Sequence, residues 1–143
     1  MITNEIAGLW RLKSWTTQNG YGDINYPFGQ NAEGNIIYTP NGRVSVHLAA
    51  GDRPRMPQDI QGAIGSGPDQ IAAYATYVAY SGSYHFEGDI IVHKLTMSLY
   101  PNWLGIELRR SFDLSGDRLL LKMPTPETDA KVMINELLWI REE

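Results

Sequence analysis

Cysteine is absent from these 143 residues, which removes disulfides, thiolate metal sites and a thiol nucleophile together. Basic runs are absent as well: twelve Lys and Arg are scattered among sixteen Asp and Glu, for a net charge of −4. Nucleic acid and anionic membrane surfaces both attract clustered cations, so neither is an expected partner. No apolar stretch approaches the roughly 20 residues needed to cross a bilayer. The start, Met1-Ile2-Thr3-Asn4-Glu5-Ile6, lacks the basic region and apolar run of a signal peptide. A single cytoplasmic domain over residues 1–143 is the expectation, long enough to bury a real core.

Catalytic and cofactor templates are also missing. His47, His85 and His93 fall on three different predicted strands, without His-x-His or the carboxylate spacing of a zinc site, so no metal is expected. Gly65-Ser66-Gly67 lacks the strand–turn–helix setting of a nucleophile elbow. The glycines form no phosphate-binding motif, and no cofactor is expected.

What the chain does contain is β-type alternation punctuated by glycine- and aromatic-rich turns. Four of these stand out: Tyr26-Pro27-Phe28-Gly29, the segment 34–42 ending Pro40-Asn41-Gly42, Tyr77-Val78-Ala79-Tyr80-Ser81-Gly82, and Tyr100-Pro101-Asn102-Trp103-Leu104-Gly105. Asn41-Gly42 between the β-branched runs 35–39 and 43–48 is a strong hairpin signal. Further strands are predicted over 9–17, 80–86, 89–100, 105–113, 117–123 and 132–141. Residues 50–68 form one long irregular segment rich in Gly and Pro, of the kind that serves as a lid. It leads into the only sizeable predicted helix, 69–79, with Asp69 at its positive end and Ile71, Tyr74, Ala75 and Val78 at helical spacing. About eight strands with local connections predict an all-β fold, a single up-and-down antiparallel barrel with this helix capping one end.

A barrel of this size either fills its interior or holds one small ligand. Along 89–100, Lys94 marks one face as solvent, which turns Ile91, His93, Leu95, Met97 and Leu99 inward. Along 105–113, Ile106, Leu108, Arg110 and Phe112 face inward. An inward guanidinium must be paired, or its burial costs several kcal/mol. Two readings stay open. Arg110 and His93 either satisfy internal polar groups or meet the carboxylate, carbonyl or phenolate of a ligand whose body lies on apolar walls. Tyr80 and Tyr84, in phase on one strand, and Trp103, in the loop before the next hairpin, are candidate rim and wall residues beside Met97. Ordinary packing accounts for any single tyrosine equally well.

Gly8-Leu9-Trp10 on the first strand and Arg141 on the last resemble the lipocalin superfamily. The 26–29 and 34–42 motifs, Asp52-Arg53-Pro54-Arg55, the 77–84 stretch and the 100–105 turn resemble, more closely, the small microbial lipocalin-like domain proteins. That resemblance implies a calycin-type barrel with a ligand cavity, closed at its base by the arginine packing over the tryptophan. It implies no particular reaction, and it suggests a link to secondary metabolism. The chain differs from secreted lipocalins in having no cysteine.

Two functions follow as expectations. One is intracellular binding of a small hydrophobic or aromatic molecule through His93, Arg110 and Tyr84, with Tyr80, Met97 and Trp103 along the wall. The alternative is a cofactor-free isomerase, cyclase or decarboxylase acting on a polyketide-like, terpenoid or phenolic compound. The last strand is apolar on both faces, which calls for cover by the helix or by a second copy in a homodimer.

Overall fold

The computed structural model describes residues 3–56, 67–123 and 134–142. Residues 57–66 of the expected lid, residues 124–126 and the first two residues of the expected last strand lie outside that range. The described part of the lid is anchored. Ala50 donates its amide to the Thr76 carbonyl oxygen at 3.0 Å, and the Arg53 side chain donates to the Thr76 hydroxyl and the Ala73 carbonyl.

A short helix α1 (Thr3–Ile6) leads into β1 (Gly8–Gln18), followed by β2 (Ile24–Asn25), β3 (Glu33–Tyr38) and β4 (Arg43–Ala49). Helix α2 (Gly67–Ala75) precedes β5 (Tyr77–Glu87), β6 (Ile90–Ser98), a single 3-10 turn (Pro101–Trp103), β7 (Glu107–Ser115), β8 (Arg118–Met123) and β9 (Ile134–Arg141). Neighbours from β3 to β9 pair antiparallel in chain order, and β1 pairs with β3 on one edge and β9 on the other. Eight strands therefore close a barrel. The two-residue β2 sits as an extra arm on the far end of β1. Among the described residues no helix is long and apolar enough to cross a membrane.

Alternation places side chains as the β period of two requires. Val44, Val46 and Leu48 are buried along β4 while Arg43 and His47 are exposed. Three expectations needed correction. The helix ends at Ala75 rather than at residue 79, because 77–79 pair with β4, so Tyr77 and Tyr80 both lie on β5. None of the residues of α2 is buried; it packs beside β5 and leaves β9 to be held by β1 and β8.

The second correction concerns β6. A bulge falls where Ser81 pairs with Met97 and Gly82 with Leu95, leaving Thr96 as the extra residue. An inserted residue reverses the facing of everything beyond it. His93 and Leu95 therefore point inward, whereas Met97 is 68% exposed and Leu99 42%. Gly82 permits the close approach at this point, since a Cβ there would collide with the Lys94 carbonyl oxygen. Ile106, also expected inside, precedes β7 and is exposed.

The base of the barrel is closed as the Trp10 and Arg141 positions imply. The Arg141 guanidinium lies 4.3 Å from the centre of the fully buried Trp10 ring. It donates to the carbonyl oxygens of Ala7 at 2.9 Å and Glu5 at 2.5 Å, while the Trp10 indole donates to the Ile6 carbonyl at 2.9 Å. Removing the guanidinium deletes a cation–π contact of about 0.5–2 kcal/mol and two charge-assisted bonds. Arg141→Ala is expected to lower unfolding free energy by roughly 2–4 kcal/mol in urea titration. An unchanged midpoint would show that the base is held by the β1–β9 ladder alone.

Candidate functional site

Each strand divides its inward residues between a solid base and a hollow upper half. Towards the base, Ile6, Trp10, Tyr38, Val44, Tyr84, Ile91 and Leu119 belong to one continuous buried cluster. Towards the other end, a cavity of about 500 Å³ opens among Ile36, Val46, Leu48, Val78, Leu108, Leu121, Leu137 and Trp139. Trp15, Trp103, Glu107, Met123 and Asn135 complete its wall towards the mouth. A second, smaller cleft of about 280 Å³ lies outside the mouth between Phe28, Tyr74 and Tyr100, and shares Trp15, Val78 and Trp103 with the inner cavity. Trp103 stands at the junction because the Pro101–Trp103 turn folds it back onto Tyr80, ring to ring at 6.1 Å.

Most of the wall is apolar, which makes the polar members informative. Arg110 is only 8% exposed and lines the cavity. Among the described residues it forms no ion pair; the one lining carboxylate, Glu107, is bound to Arg109 at 3.3 Å and is half-exposed. The Arg110 guanidinium sits beside the Tyr80 hydroxyl, another wall residue. Burial raises the Tyr80 phenol above its ordinary pKa, and the charge and hydrogen bonding of Arg110 offset part of that rise. The Trp139 indole N–H is buried on the same wall without a hydrogen-bond partner among the described residues.

Behind Tyr80 lies a fully buried polar triad. His93 Nδ1 is 2.8 Å from the Tyr80 hydroxyl and His93 Nε2 is 2.8 Å from the Tyr38 hydroxyl. Burial first, and Arg110 second, push the imidazole down to a pKa of about 3, so His93 is neutral at physiological pH. Tyr38 is 1% exposed. Its phenol is raised well above its ordinary range, chiefly by burial. The triad is possible because β3, β5 and β6 each turn the relevant residue inward: Tyr38 follows Ile36 in phase on β3, Tyr80 stands on β5, and His93 pairs with Tyr84 across β5–β6.

The residues singled out from the sequence thus separate into three groups. Arg110, Tyr80 and Trp103 line the cavity. His93 is one layer back, reaching the cavity through Tyr80. Tyr84 and Met97 stand apart from it. Tyr84 shares the inward face with Tyr80 but is four residues further along β5, about 13 Å at strand spacing. There it packs on Tyr38 and donates its hydroxyl to the Thr39 carbonyl at 2.7 Å. Met97 is turned out by the bulge. Tyr38, Trp139 and Asn135 escaped the sequence reading. The Ile36–Tyr38 alternation within the hairpin already placed Tyr38 inward; no local signal distinguishes Trp139 or Asn135 as wall residues.

Because the folded state rejects a proton on His93 that the unfolded chain accepts, acid favours unfolding. The folded pKa lies below the unfolded one, so this contribution is complete above about pH 6.5 and is lost as pH falls towards about 3. Within that window stability is expected to fall by about 1.4 kcal/mol per pH unit from this one group. His93→Gln should abolish that component of the slope in denaturant titrations at a series of pH values. Parallel curves for the two proteins would mean that His93 is not buried neutral.

A solved structure shares the architecture. A lipocalin-like protein from Bacteroides uniformis ATCC 8492 is 15% identical, with a TM-score of 0.50 over 96% of this chain and 99% of that one. An uncharacterized protein from Bacteroides eggerthii DSM 20697 is 13% identical, with a TM-score of 0.47 over 95% and 98% of the two chains. No curated protein matches the sequence. The model of the lipocalin-like domain matches residues 7–141, which spans the barrel from the turn before β1 to the last residue of β9. This chain belongs to the lipocalin-like domain family.

Proposed function

We propose that the protein binds a small apolar or aromatic molecule in the upper half of the barrel, with a carbonyl or anionic group of that molecule at Arg110. One observation carries this reading: a nearly buried guanidinium with no carboxylate partner among the described residues lines a cavity whose remaining wall is largely aliphatic and aromatic. A buried cation without a counter-charge is costly, and a ligand oxyanion or carbonyl relieves that cost. A cavity of about 500 Å³ is within the range of small-molecule sites.

A second reading is favoured by the Tyr38–His93–Tyr80 arrangement. The Tyr80 hydroxyl stands on the cavity wall between His93 and Arg110, so the phenolate left when it gives a proton to a bound compound is stabilised by both until the proton returns. This supports a cofactor-free isomerase, cyclase or decarboxylase in which Tyr80 exchanges a proton with the bound compound and Arg110 stabilises a developing oxyanion.

Native mass spectrometry of protein purified from its source should reveal a retained small molecule. Arg110→Met, which roughly keeps volume, is expected to weaken its binding by about 10- to 100-fold, the loss of one charge-assisted contact, while the barrel still unfolds cooperatively. Binding equal to the parent protein would rule Arg110 out as the anchor. Incubation separates the two readings: a carrier returns the compound unchanged, whereas an enzyme converts it and loses turnover in Tyr80→Phe.

A further inference from the structure

The buried triad contains more hydrogens than it has places to put them. Neutral His93 brings one N–H and the two tyrosines bring one O–H each, making three donors. Only two contacts join the three side chains, at 2.8 Å each. One hydroxyl hydrogen is therefore left over in either tautomer of the imidazole. If Nε2 carries the proton, it donates to Tyr38, and the Tyr38 hydrogen must find another acceptor. Tyr38 is 1% exposed, and among the described residues its hydroxyl has no other hydrogen-bond partner. If Nδ1 carries the proton, Tyr38 donates to Nε2, and the surplus hydrogen falls on Tyr80. That residue lines the cavity, where water or a ligand can accept it. A buried donor left unmade biases an equilibrium by roughly tenfold or more.

We infer that the sealed Tyr38 hydroxyl fixes His93 as the Nδ1–H tautomer and thereby makes Tyr80 a hydrogen-bond donor to the cavity, so that the site favours ligands presenting acceptor oxygens, a carboxylate or an enolate above all. This rests on the proposal that the cavity binds a small molecule. The other polar side chains of the wall agree with it. Arg110 can only donate, and the Trp139 indole N–H is buried without a partner among the described residues. On the same wall the Asn135 oxygen takes the Trp15 indole N–H at 2.7 Å, and Glu107 is turned to Arg109. An ammonium group entering here meets donors facing a donor. Tyr38 and His93 are positioning residues, since they act on the ligand only through Tyr80.

Two measurements test the inference, the first without any ligand. Nitrogen-15 NMR of histidine-labelled protein at neutral pH should show a pyrrole-type Nδ1 and an unprotonated Nε2 for His93. A parent protein with the proton on Nε2 would overturn the assignment. The second measurement is calorimetric titration with naphthalene-2-carboxylate, 2-naphthylmethylammonium and 2-methylnaphthalene. The carboxylate is expected to bind roughly tenfold or more tighter than the neutral hydrocarbon, and the ammonium more weakly than both. Binding of the hydrocarbon without preference for the carboxylate defeats the donor assignment and leaves the cavity reading standing. No binding by any of the three, with the Nδ1–H tautomer in place, defeats the cavity reading instead.

Discussion

The antiparallel seam between β1 and β9 is the contact on which the rest of the barrel depends. Pairing from Trp10–Arg141 to Gln18–Ile134 joins the two ends of the chain and removes the free sheet edges that an open eight-stranded sheet would expose. The seam also fixes the base: Arg141 is delivered over Trp10 and onto the carbonyls of Glu5 and Ala7, which draws α1 across the barrel end. Once that end is plugged, the inward residues nearest to it pack solidly. The hollow half is confined to the opposite end, where β5 begins and β6 finishes.

The boundary between solid and hollow is polar. Three hydrogen-bonding side chains and a guanidinium are buried where aliphatic residues could pack, and each carries a desolvation cost that only partners recover. His93 recovers it through two tyrosine hydroxyls. Arg110 has the Tyr80 hydroxyl beside it and no carboxylate among the described residues. The position of this arrangement against the cavity is what gives it a chemical consequence, because the polarity is presented to whatever occupies the space.

Geometry at the mouth follows from local irregularities rather than from the regular ladder. The Thr96 bulge turns Met97 and Leu99 outward, and the Pro101–Trp103 turn brings Trp103 back over Tyr80. Trp15 is held by its bond to Asn135 and by an edge contact with Phe28 at 4.9 Å. Trp15 and Trp103 line both the outer cleft and the inner cavity.

Period-two alternation, with turn chemistry at Asn41-Gly42, was enough to specify an antiparallel barrel and to turn His93 and Arg110 inward, because facing on a strand is a local property. The Gly8-x-Trp10 and Arg141 pair likewise carried the closure of the base. Tyr84 and Met97 show where local reasoning stops. Tyr84 has the correct facing, but its depth depends on where the cavity floor lies, and that is set by side chains from every other strand. Met97 has the correct composition, but a single extra residue at 96 reverses it, and alternation cannot register an insertion whose partner is on a different strand. The pairing of His93 with Tyr38, 55 residues away, has no local signature at all. It exists only because closure brings β3 and β6 to face one another across the interior, which is a property of the closed barrel and not of any segment of the chain.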